Sequence, residues 1–129
     1  MPESPKARVL VVDDAGLVRA YYRDILERGG YKVDEALNGV EAMEKLLQTD
    51  ADIIIVDVNM PQMDGISFVK ALRRQEPRLA SIPAIIASTE AGDHDKAAAR
   101  AAGANHYLVK PLREDTLLRY IALLTGRPS

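Results

Sequence analysis

Five short runs rich in β-branched and aliphatic residues alternate with longer segments in which apolar residues recur at helical spacing. This alternation is typical of βαβ units and predicts an α/β fold built on a parallel sheet. Runs such as VLVV and IIIV are apolar at successive positions, as expected for strands that helices cover on both faces. The predicted strands are residues 8–12, 32–36, 52–56, 82–87 and 106–109.

The segments between and after these strands predict five helices. The first ends at Gly29 and Gly30, and Asn38 can cap the second. The fourth, residues 94–102, is mostly alanine, which forms helices well but buries little area, so we expect it to be the most weakly anchored. The other helices are marked by apolar residues at helical spacing: Leu17, Val18, Tyr21, Ile25, Leu26, Val40, Met43, Leu46, Leu47, Ile66, Val69, Leu72, Leu117, Ile121 and Leu124.

Composition narrows the possible functions. With 129 residues, the chain is expected to form one domain. The absence of cysteine excludes a disulfide, a thiolate metal site and a cysteine nucleophile, and it suits a cytoplasmic protein. The longest uncharged segment, residues 79–89, is too short to cross a membrane. A net charge of −2 argues against nucleic-acid binding, and the basic cluster of Lys70, Arg73 and Arg74 is expected to be a solvated face.

Polar side chains follow four of the five predicted strands. Asp13 and Asp14 follow the first strand, Asp57 the third, Ser88 and Thr89 the fourth, and Lys110 with Pro111 the fifth. In parallel α/β sheets, ligands bind beyond the carboxyl ends of the strands, where these side chains would converge.

Three converging carboxylates repel one another. At ~5 Å and an effective dielectric constant of ~20, each pair costs about 3 kcal/mol. Oxygen ligands without histidine or cysteine favour a Mg²⁺-like cation, and Lys110 supplies a second positive charge. A carboxylate beside a divalent cation, a lysine and a hydroxyl can accept a phosphoryl group as an acyl phosphate.

Four motifs make the sequence resemble the receiver domains of two-component response regulators, and in particular the stand-alone chemotaxis type. The resemblance covers roughly residues 7–124 and implies a single receiver domain over 1–129 without an output domain. It also implies a doubly wound, flavodoxin-like fold with strand order 2-1-3-4-5. The motifs are VLVVDD at 9–14, DVNMPQMDG at 57–65, AST at 87–89 and YLVKP at 107–111.

The resemblance assigns roles to individual residues. Asp57 would accept the phosphoryl group from a phosphohistidine on a sensor histidine kinase. Asp13 and Asp14, with the Asp57 carboxylate and the backbone carbonyl of Asn59, would hold Mg²⁺ or Mn²⁺. Lys110 would pair with a phosphoryl oxygen. Ser88 would also be a catalytic residue, because it would hydrogen bond the phosphoryl group once it arrives. The peptide bond before Pro111 would be cis. Gly65 would permit the turn after the acceptor loop.

The resemblance also implies a switch. Ser88 would move toward the phosphoryl group and vacate space for the ring of Tyr107, and the fourth helix and fifth strand would move with it. An unidentified output protein would bind the fourth helix, the fifth strand and the fifth helix. Asn59 and Glu90 would tune the lifetime of the acyl phosphate, and they resemble the fast-decaying chemotaxis regulators. In the fourth helix, Lys96 and Arg100 stand where the chemotaxis type would have apolar or small residues. Because this helix belongs to the surface that would bind the output protein, the departure argues against flagellar-motor binding.

The sequence leaves other functions open. The protein could be a relay or phosphate sink that exchanges phosphoryl groups with a histidine phosphotransfer protein. A haloacid dehalogenase-type phosphatase fits poorly, because that class needs an acid two residues after the nucleophile and Asn59 stands there. A flavin binder of the same fold would need a Ser/Thr-rich phosphate loop after the first strand, where the acids Asp13 and Asp14 stand. The favoured interpretation is a signalling phosphoacceptor that assists its own phosphorylation and dephosphorylation, not an enzyme with a separate substrate.

Overall fold

The computed structural model describes residues 7–60 and 62–126. Five strands form one parallel sheet in the order β2-β1-β3-β4-β5, which confirms the predicted fold class and strand order. The strands are β1 (Arg8–Val12), β2 (Lys32–Ala36), β3 (Ile53–Asp57), β4 (Ala84–Ser88) and β5 (His106–Val109).

The described residues contain six helices, one more than the sequence predicts. The additional helix is a single turn that begins at Pro77, and one turn is too short to produce a helical period in the sequence. Proline suits the first helical position because its missing N–H has no partner there. The helices are α1 (Gly16–Arg28), α2 (Gly39–Gln48), α3 (Gly65–Arg73), α4 (Pro77–Ala80), α5 (Asp93–Ala102) and α6 (Glu114–Thr125).

Two strands are displaced from their predicted bounds, and the displacement places functional residues inside the sheet. The predicted fourth strand begins at residue 82, but the Ile82 N–H donates to the Leu79 carbonyl and Pro83 has no N–H to donate, so β4 begins at Ala84. Strand β3 begins and ends one residue later than predicted. Asp57 and Ser88 are therefore the last residues of β3 and β4, not the residues that follow them.

Alternate residues of each strand pack on opposite faces of the sheet. Leu10 and Val12 of β1 belong to a core cluster with α2, α3 and α5, whereas Val9 and Val11 belong to a second cluster with α1 and α6. This two-sided burial explains why the strands are apolar at successive positions.

The anchoring of the helices differs as the sequence predicts. Helix α5, which corresponds to the predicted fourth helix, buries only Ala99 and Ala102, while α3 buries the larger side chains of Phe68, Val69 and Leu72. Because alanine buries little apolar area, α5 is held by less hydrophobic stabilisation than its neighbours. A hydrophobic period alone did not identify core residues, however: Leu17 and Leu47 fit the period but are 89% and 65% exposed.

The prediction of a solvated basic face on the third helix is correct for Lys70 and Arg74 and wrong for Arg73. Both Lys70 and Arg74 are exposed, whereas Arg73 is half-buried and its guanidinium ties α3 to α4 and to the loop before β5. It donates to the carbonyls of Ala80 (2.9 Å), Ile82 (2.7 Å) and Gly103 (2.9 Å) and to Oδ1 of Asn105 (2.9 Å). Arg73 therefore serves the fold, since it satisfies carbonyls that its neighbours leave without backbone partners.

Within residues 7–60 and 62–126, no helix combines the length and apolar character that a bilayer crossing requires.

Candidate functional site

Three carboxylates meet at the carboxyl ends of β1 and β3. Because these strands are neighbours in the sheet, Asp13 and Asp14 lie beside Asp57, and one oxygen from each carboxylate lies within 4.8 Å of the others. Asp13 and Asp57 are buried, with 2% and 9% exposure, and Asp14 is exposed. The site is thus open to solvent on the Asp14 side and closed by the sheet beneath.

The Lys110 ammonium bridges two of these carboxylates. Its Nζ donates to Asp57 Oδ1 at 2.7 Å and to Asp13 Oδ2 at 3.0 Å. The side chain of Lys110 is 17% exposed, so solvent screens this contact less than it screens a surface ion pair. Of the strand-end residues that the sequence predicts to converge, Asp13, Asp14, Asp57 and Lys110 meet at this point.

Burial sets the electrostatics of the pair. Burial raises the pKa of Asp57, the hydrogen bond from Lys110 offsets this only in part, and the nearby Asp13 carboxylate adds to the rise. Burial opposes the charge on Lys110, but its hydrogen bonds to Asp57 and Asp13 outweigh that effect and raise its pKa. The lysine therefore stays charged at neutral pH, while ionised Asp57 is less favourable in the folded protein than in water.

Tyr22 forms one wall of the site, a role that sequence reasoning missed because its position in α1 predicts only a core residue. Burial raises the pKa of Tyr22 to about 12, and Lys110, Asp13 and Asp57 lie close enough to affect its ionisation. The tyrosine also lines a largely apolar cavity of about 390 Å³ beside Lys110, together with Leu17, Val18, Tyr21, Thr89, Pro111 and Leu112.

The loop after β3 is held against the site by Gly65. The Gly65 N–H donates to the Val58 carbonyl at 3.0 Å, and a Cβ at this position would lie 2.3 Å from the Asp57 carbonyl oxygen. Only glycine allows so close an approach. Asp64 then caps α3 by accepting a hydrogen bond from the Ser67 N–H at 2.8 Å.

Ser88 and Tyr107 lie on the opposite side of the site from Tyr22. Ser88 is buried, and its Oγ accepts a hydrogen bond from the Glu90 N–H at 3.0 Å. The Tyr107 hydroxyl donates to the Glu90 carbonyl at 2.7 Å. Ser88 and Tyr107 both line a cavity of about 340 Å³, together with Val58, Asn59, Ile66, Glu90, His94, Asp95 and Ala98.

The peptide bond between Lys110 and Pro111 is cis, as the resemblance implies. The Lys110 N–H donates to the Ser88 carbonyl at 2.7 Å, so the backbone that carries the lysine is tied to the end of β4. Lys110, which follows β5, is thereby held beside Ser88, the last residue of β4.

The donor set fits a hard divalent cation. The clustered ligands are carboxylate oxygens, two of them buried, and Lys110 neutralises only part of their charge. Mg²⁺ prefers such oxygen ligands and keeps several waters, which the exposed Asp14 side of the site can accommodate. Asn59 is exposed in the loop after β3, next to the cavity that Ser88 lines.

We expect the Asp57→Asn variant to be more stable than the wild type in metal-free buffer at neutral pH. The pKa of Asp57 is raised by folding above its ordinary value of 3.8. As pH rises from the ordinary pKa of Asp57 toward its higher pKa in the folded protein, the unfolded state loses its proton first, and the wild type becomes less stable. Asparagine has no such window, so the difference in melting temperature should grow between about pH 4 and pH 7.

Circular dichroism melting curves in EDTA at both pH values measure this difference. Added Mg²⁺ should narrow it, because the cation stabilises the wild-type carboxylates. A variant that melts below the wild type at neutral pH would contradict this account of the site.

Comparisons with known proteins agree with this geometry. Residues 9–122 match the family described as the response regulator receiver domain. The chain is 40% identical over 121 residues to chemotaxis protein CheY1 of Helicobacter pylori, covering 92% of this chain and 97% of that protein. It is 39% identical to the transcriptional regulatory protein PrrA of Mycobacterium leprae, of which it covers 51%.

The fold is also similar to a solved structure of the chemotaxis response regulator CheY4 of Vibrio cholerae. The TM-score is 0.85 at 39% identity, and the match covers 92% of this chain and 98% of that one.

Proposed function

Because the chain belongs to the response regulator receiver domains of two-component systems, we propose that Asp57 accepts a phosphoryl group from a phosphohistidine on a sensor histidine kinase. The observation that carries this proposal is the Lys110 ammonium, which bridges Asp57 and Asp13 at 2.7 and 3.0 Å. This places a fixed positive charge where phosphoryl oxygens would arrive.

In the proposed reaction a carboxylate oxygen of Asp57 attacks phosphorus. A new O–P bond forms as the P–N bond of the phosphohistidine breaks, and the bonding pair returns to the imidazole nitrogen, which takes a proton from solvent. Asp57 reacts as the ionised carboxylate, and Lys110 favours that form by hydrogen bonding to it. Lys110 also remains close enough to stabilise the negative charge of the transferred group.

A divalent cation, Mg²⁺ or Mn²⁺, would be held by Asp13, Asp14 and Asp57, with the backbone carbonyl of Asn59 as a further ligand. When bound, it would neutralise phosphoryl charge. The protein's own contribution is the placement of the oxygens, because Asp13 and Asp57 are fixed at strand ends and only Asp14 faces solvent.

The proposed switch runs from Ser88 to Tyr107. Ser88 lies at the end of β4 and lines the same 340 Å³ cavity as Tyr107, so movement of the serine toward a phosphoryl group would open space for the ring. The present anchor of Tyr107 is one hydrogen bond to the Glu90 carbonyl. Helix α5 lies beside this cavity and is weakly anchored, which favours its movement with the tyrosine.

The proposed output surface is formed by α5, β5 and α6. Strand β5 is an edge of the sheet, and Val109 and Leu123 on this surface are 37% and 65% exposed. Lys96 and Arg100 line a polar cleft there with Tyr107. An unidentified partner protein that reads this surface would sense the position of Tyr107 directly.

Ser88→Ala should separate phosphorylation from the switch. We expect labelling by acetyl phosphate to fall less than about threefold, because Asp57, Lys110 and the carboxylates are intact. The response of the output surface should be lost, because alanine cannot hydrogen bond the phosphoryl group. NMR spectra with and without beryllofluoride, a phosphoryl mimic, measure this as chemical-shift changes in α5 and β5. Full wild-type changes in the variant would contradict the switch.

The lifetime of the acyl phosphate is proposed to depend on Asn59 and Glu90. Both residues line the cavity next to Ser88, where they can contact the water that attacks the acyl phosphate. Both are exposed, so water has access to this side of the site.

A relay or phosphate sink is the second candidate function, because it uses the same site. Radiolabelled phosphoprotein mixed with candidate histidine phosphotransfer proteins distinguishes the two. A relay passes its label to the partner faster than the label decays to free phosphate, whereas a terminal regulator releases free phosphate only.

A further inference from the structure

Every hydrogen-bonding group of Asp13, in its backbone and in its side chain, has a partner. The Asp13 N–H donates to the Ala36 carbonyl at 3.1 Å. Its Oδ1 accepts from the Ala15 N–H at 2.9 Å, and its Oδ2 accepts from Lys110. The remaining group is the Asp13 carbonyl, which accepts from Nη1 of Arg19 at 2.7 Å. That carbonyl belongs to the peptide unit that joins the two acids.

Arg19 is itself fixed by Glu35, the fourth residue of β2. Its Nε donates to Glu35 Oε1 at 2.8 Å, and its side chain is 16% exposed. Arg23 donates to the other oxygen of Glu35 at 2.6 Å. Burial opposes ionisation of Glu35, but the hydrogen bonds from Arg23 and Arg19 outweigh it and lower its pKa. Glu35 is therefore ionised at neutral pH and holds the Arg19 guanidinium in one orientation.

We propose that Arg19, oriented by Glu35, is a positioning residue for the cation site. By holding the Asp13 carbonyl, Arg19 fixes the plane of the peptide that joins Asp13 to Asp14. The orientation of this peptide sets the direction in which the Asp14 side chain extends from the backbone. Asp14 needs this support more than its neighbours, because it is the exposed carboxylate of the three and the described residues give it no hydrogen bond of its own. The inference rests on the proposed function, since it concerns the same Mg²⁺ site.

This role involves the one strand whose end carries no group of the site. Strand β2 pairs with β1 in parallel register, with Glu35 opposite Val11 and Ala36 opposite Val12. The Ala36 carbonyl and the Glu35 carboxylate therefore act from the same strand, one on the Asp13 N–H and the other, through Arg19, on its carbonyl. Groups that orient metal ligands in this way usually change metal affinity by about 10- to 100-fold when removed.

The sign of the effect distinguishes positioning from simple electrostatics. If Arg19 acted only as a nearby positive charge, its removal would relieve repulsion and tighten Mg²⁺ binding. If Arg19 positions Asp14, its removal allows the peptide to tilt and weakens binding. A purely structural role would lower the melting temperature but leave the Mg²⁺ affinity of the folded protein unchanged.

The test is a titration of ¹⁵N-labelled protein with MgCl₂, followed by amide chemical shifts because the chain has no tryptophan. We expect Arg19→Gln to raise the Mg²⁺ dissociation constant by about tenfold. Glu35→Gln should change it in the same direction by a smaller factor, because Arg19 remains but loses its orientation. Arg23→Gln is the matched control: Arg23 also bonds Glu35 and lies one turn along α1, but its hydrogen bonds go to Glu35 and Glu27 and not to Asp13 or Asp14.

The Arg23→Gln variant should bind Mg²⁺ as the wild type does. Arg19→Lys keeps the charge but cannot present two separated planar donors, so it should resemble Arg19→Gln. Unchanged or tighter binding by folded Arg19→Gln, or equal weakening by Arg23→Gln, would overturn the positioning role. If the wild type itself fails to bind Mg²⁺, the proposed function fails along with it, whereas wild-type binding with an unaffected Arg19→Gln variant overturns this inference alone.

Discussion

Replacement of Lys110 by alanine is expected to slow the labelling of Asp57 by acetyl phosphate about 100-fold. The ammonium contacts Asp57 at 2.7 Å from a largely buried position, so the transition state loses a preorganised positive charge in a poorly screened environment. Loss of one such group in an enzyme typically costs about 10²- to 10³-fold in rate. The rate follows from quantitative mass spectrometry of the phosphoprotein after timed exposure to acetyl phosphate in Mg²⁺.

Mg²⁺ binding separates this effect from loss of the cation site. The three carboxylates remain in Lys110→Ala, and removal of a neighbouring ammonium reduces repulsion, so Mg²⁺ should bind at least as tightly as it does to the wild type. Lys70→Ala, in an exposed lysine of α3, is the control and should be labelled at the wild-type rate. Equal rates for Lys110→Ala and the wild type would contradict the role of Lys110.

Gly65→Ala is expected to reduce the free energy of unfolding by about 3 kcal/mol. An added Cβ would lie 2.3 Å from the carbonyl oxygen of Asp57, 3.0 Å from its carbonyl carbon and 3.1 Å from Cα of Val58. All three are backbone atoms and cannot turn away as a side chain would. The loop after β3 must therefore shift, and Asp57 must shift with it. Urea denaturation measures the loss as a lower midpoint.

Gly16→Ala provides the matched control, because Gly16 begins α1 as Gly65 begins α3. A Cβ at Gly16 would meet only the Arg19 guanidinium, at 3.6 Å, which is an ordinary contact. The control should be neutral or more stable by up to about 1 kcal/mol, because alanine favours helix. A Gly65→Ala variant as stable as Gly16→Ala would contradict the close packing described for this loop.

The fold could be predicted from the sequence because its strongest signals are local. The strands buried on both faces carry runs of successive apolar residues, and Asn38 caps α2 by accepting a hydrogen bond from the Glu41 N–H. The strand ends carry Asp13, Asp57 and Lys110 in an order that only a parallel sheet brings together. The strands and the cap depend only on residues that are neighbours in the chain. The site depends on one topological rule, that the carboxyl ends of parallel strands lie at the same edge of the sheet.

The remaining features could not be predicted because they depend on contacts between distant segments. The guanidinium of Arg73 bonds carbonyls up to 30 residues away, and Arg19 reaches Glu35 across 16 residues. Both arginines occupy positions where the pattern alone predicts a solvated charge. Leu17 illustrates the opposite error, since it fits the helical period but is 89% exposed at the rim of the cavity beside Lys110.

The near-neutral net charge of −2 conceals an uneven distribution. Asp13, Asp14 and Asp57 concentrate negative charge in one pocket, where a single lysine offsets part of it. A folded chain keeps such a pocket at a cost in stability, as the raised pKa of Asp57 indicates. That cost is typical of functional sites, where groups are arranged for chemistry and not for stability.

The most direct test of the central claim is to locate the phosphoryl group. Wild-type protein is treated with acetyl phosphate in Mg²⁺, the acyl phosphate is reduced with borohydride to mark its position, and the peptides are sequenced by mass spectrometry. We predict that the mark lies on Asp57, that EDTA prevents it and that the Asp57→Asn variant carries none. A mark on another residue, or full labelling of Asp57→Asn, would contradict the assignment of Asp57 as the phosphoacceptor.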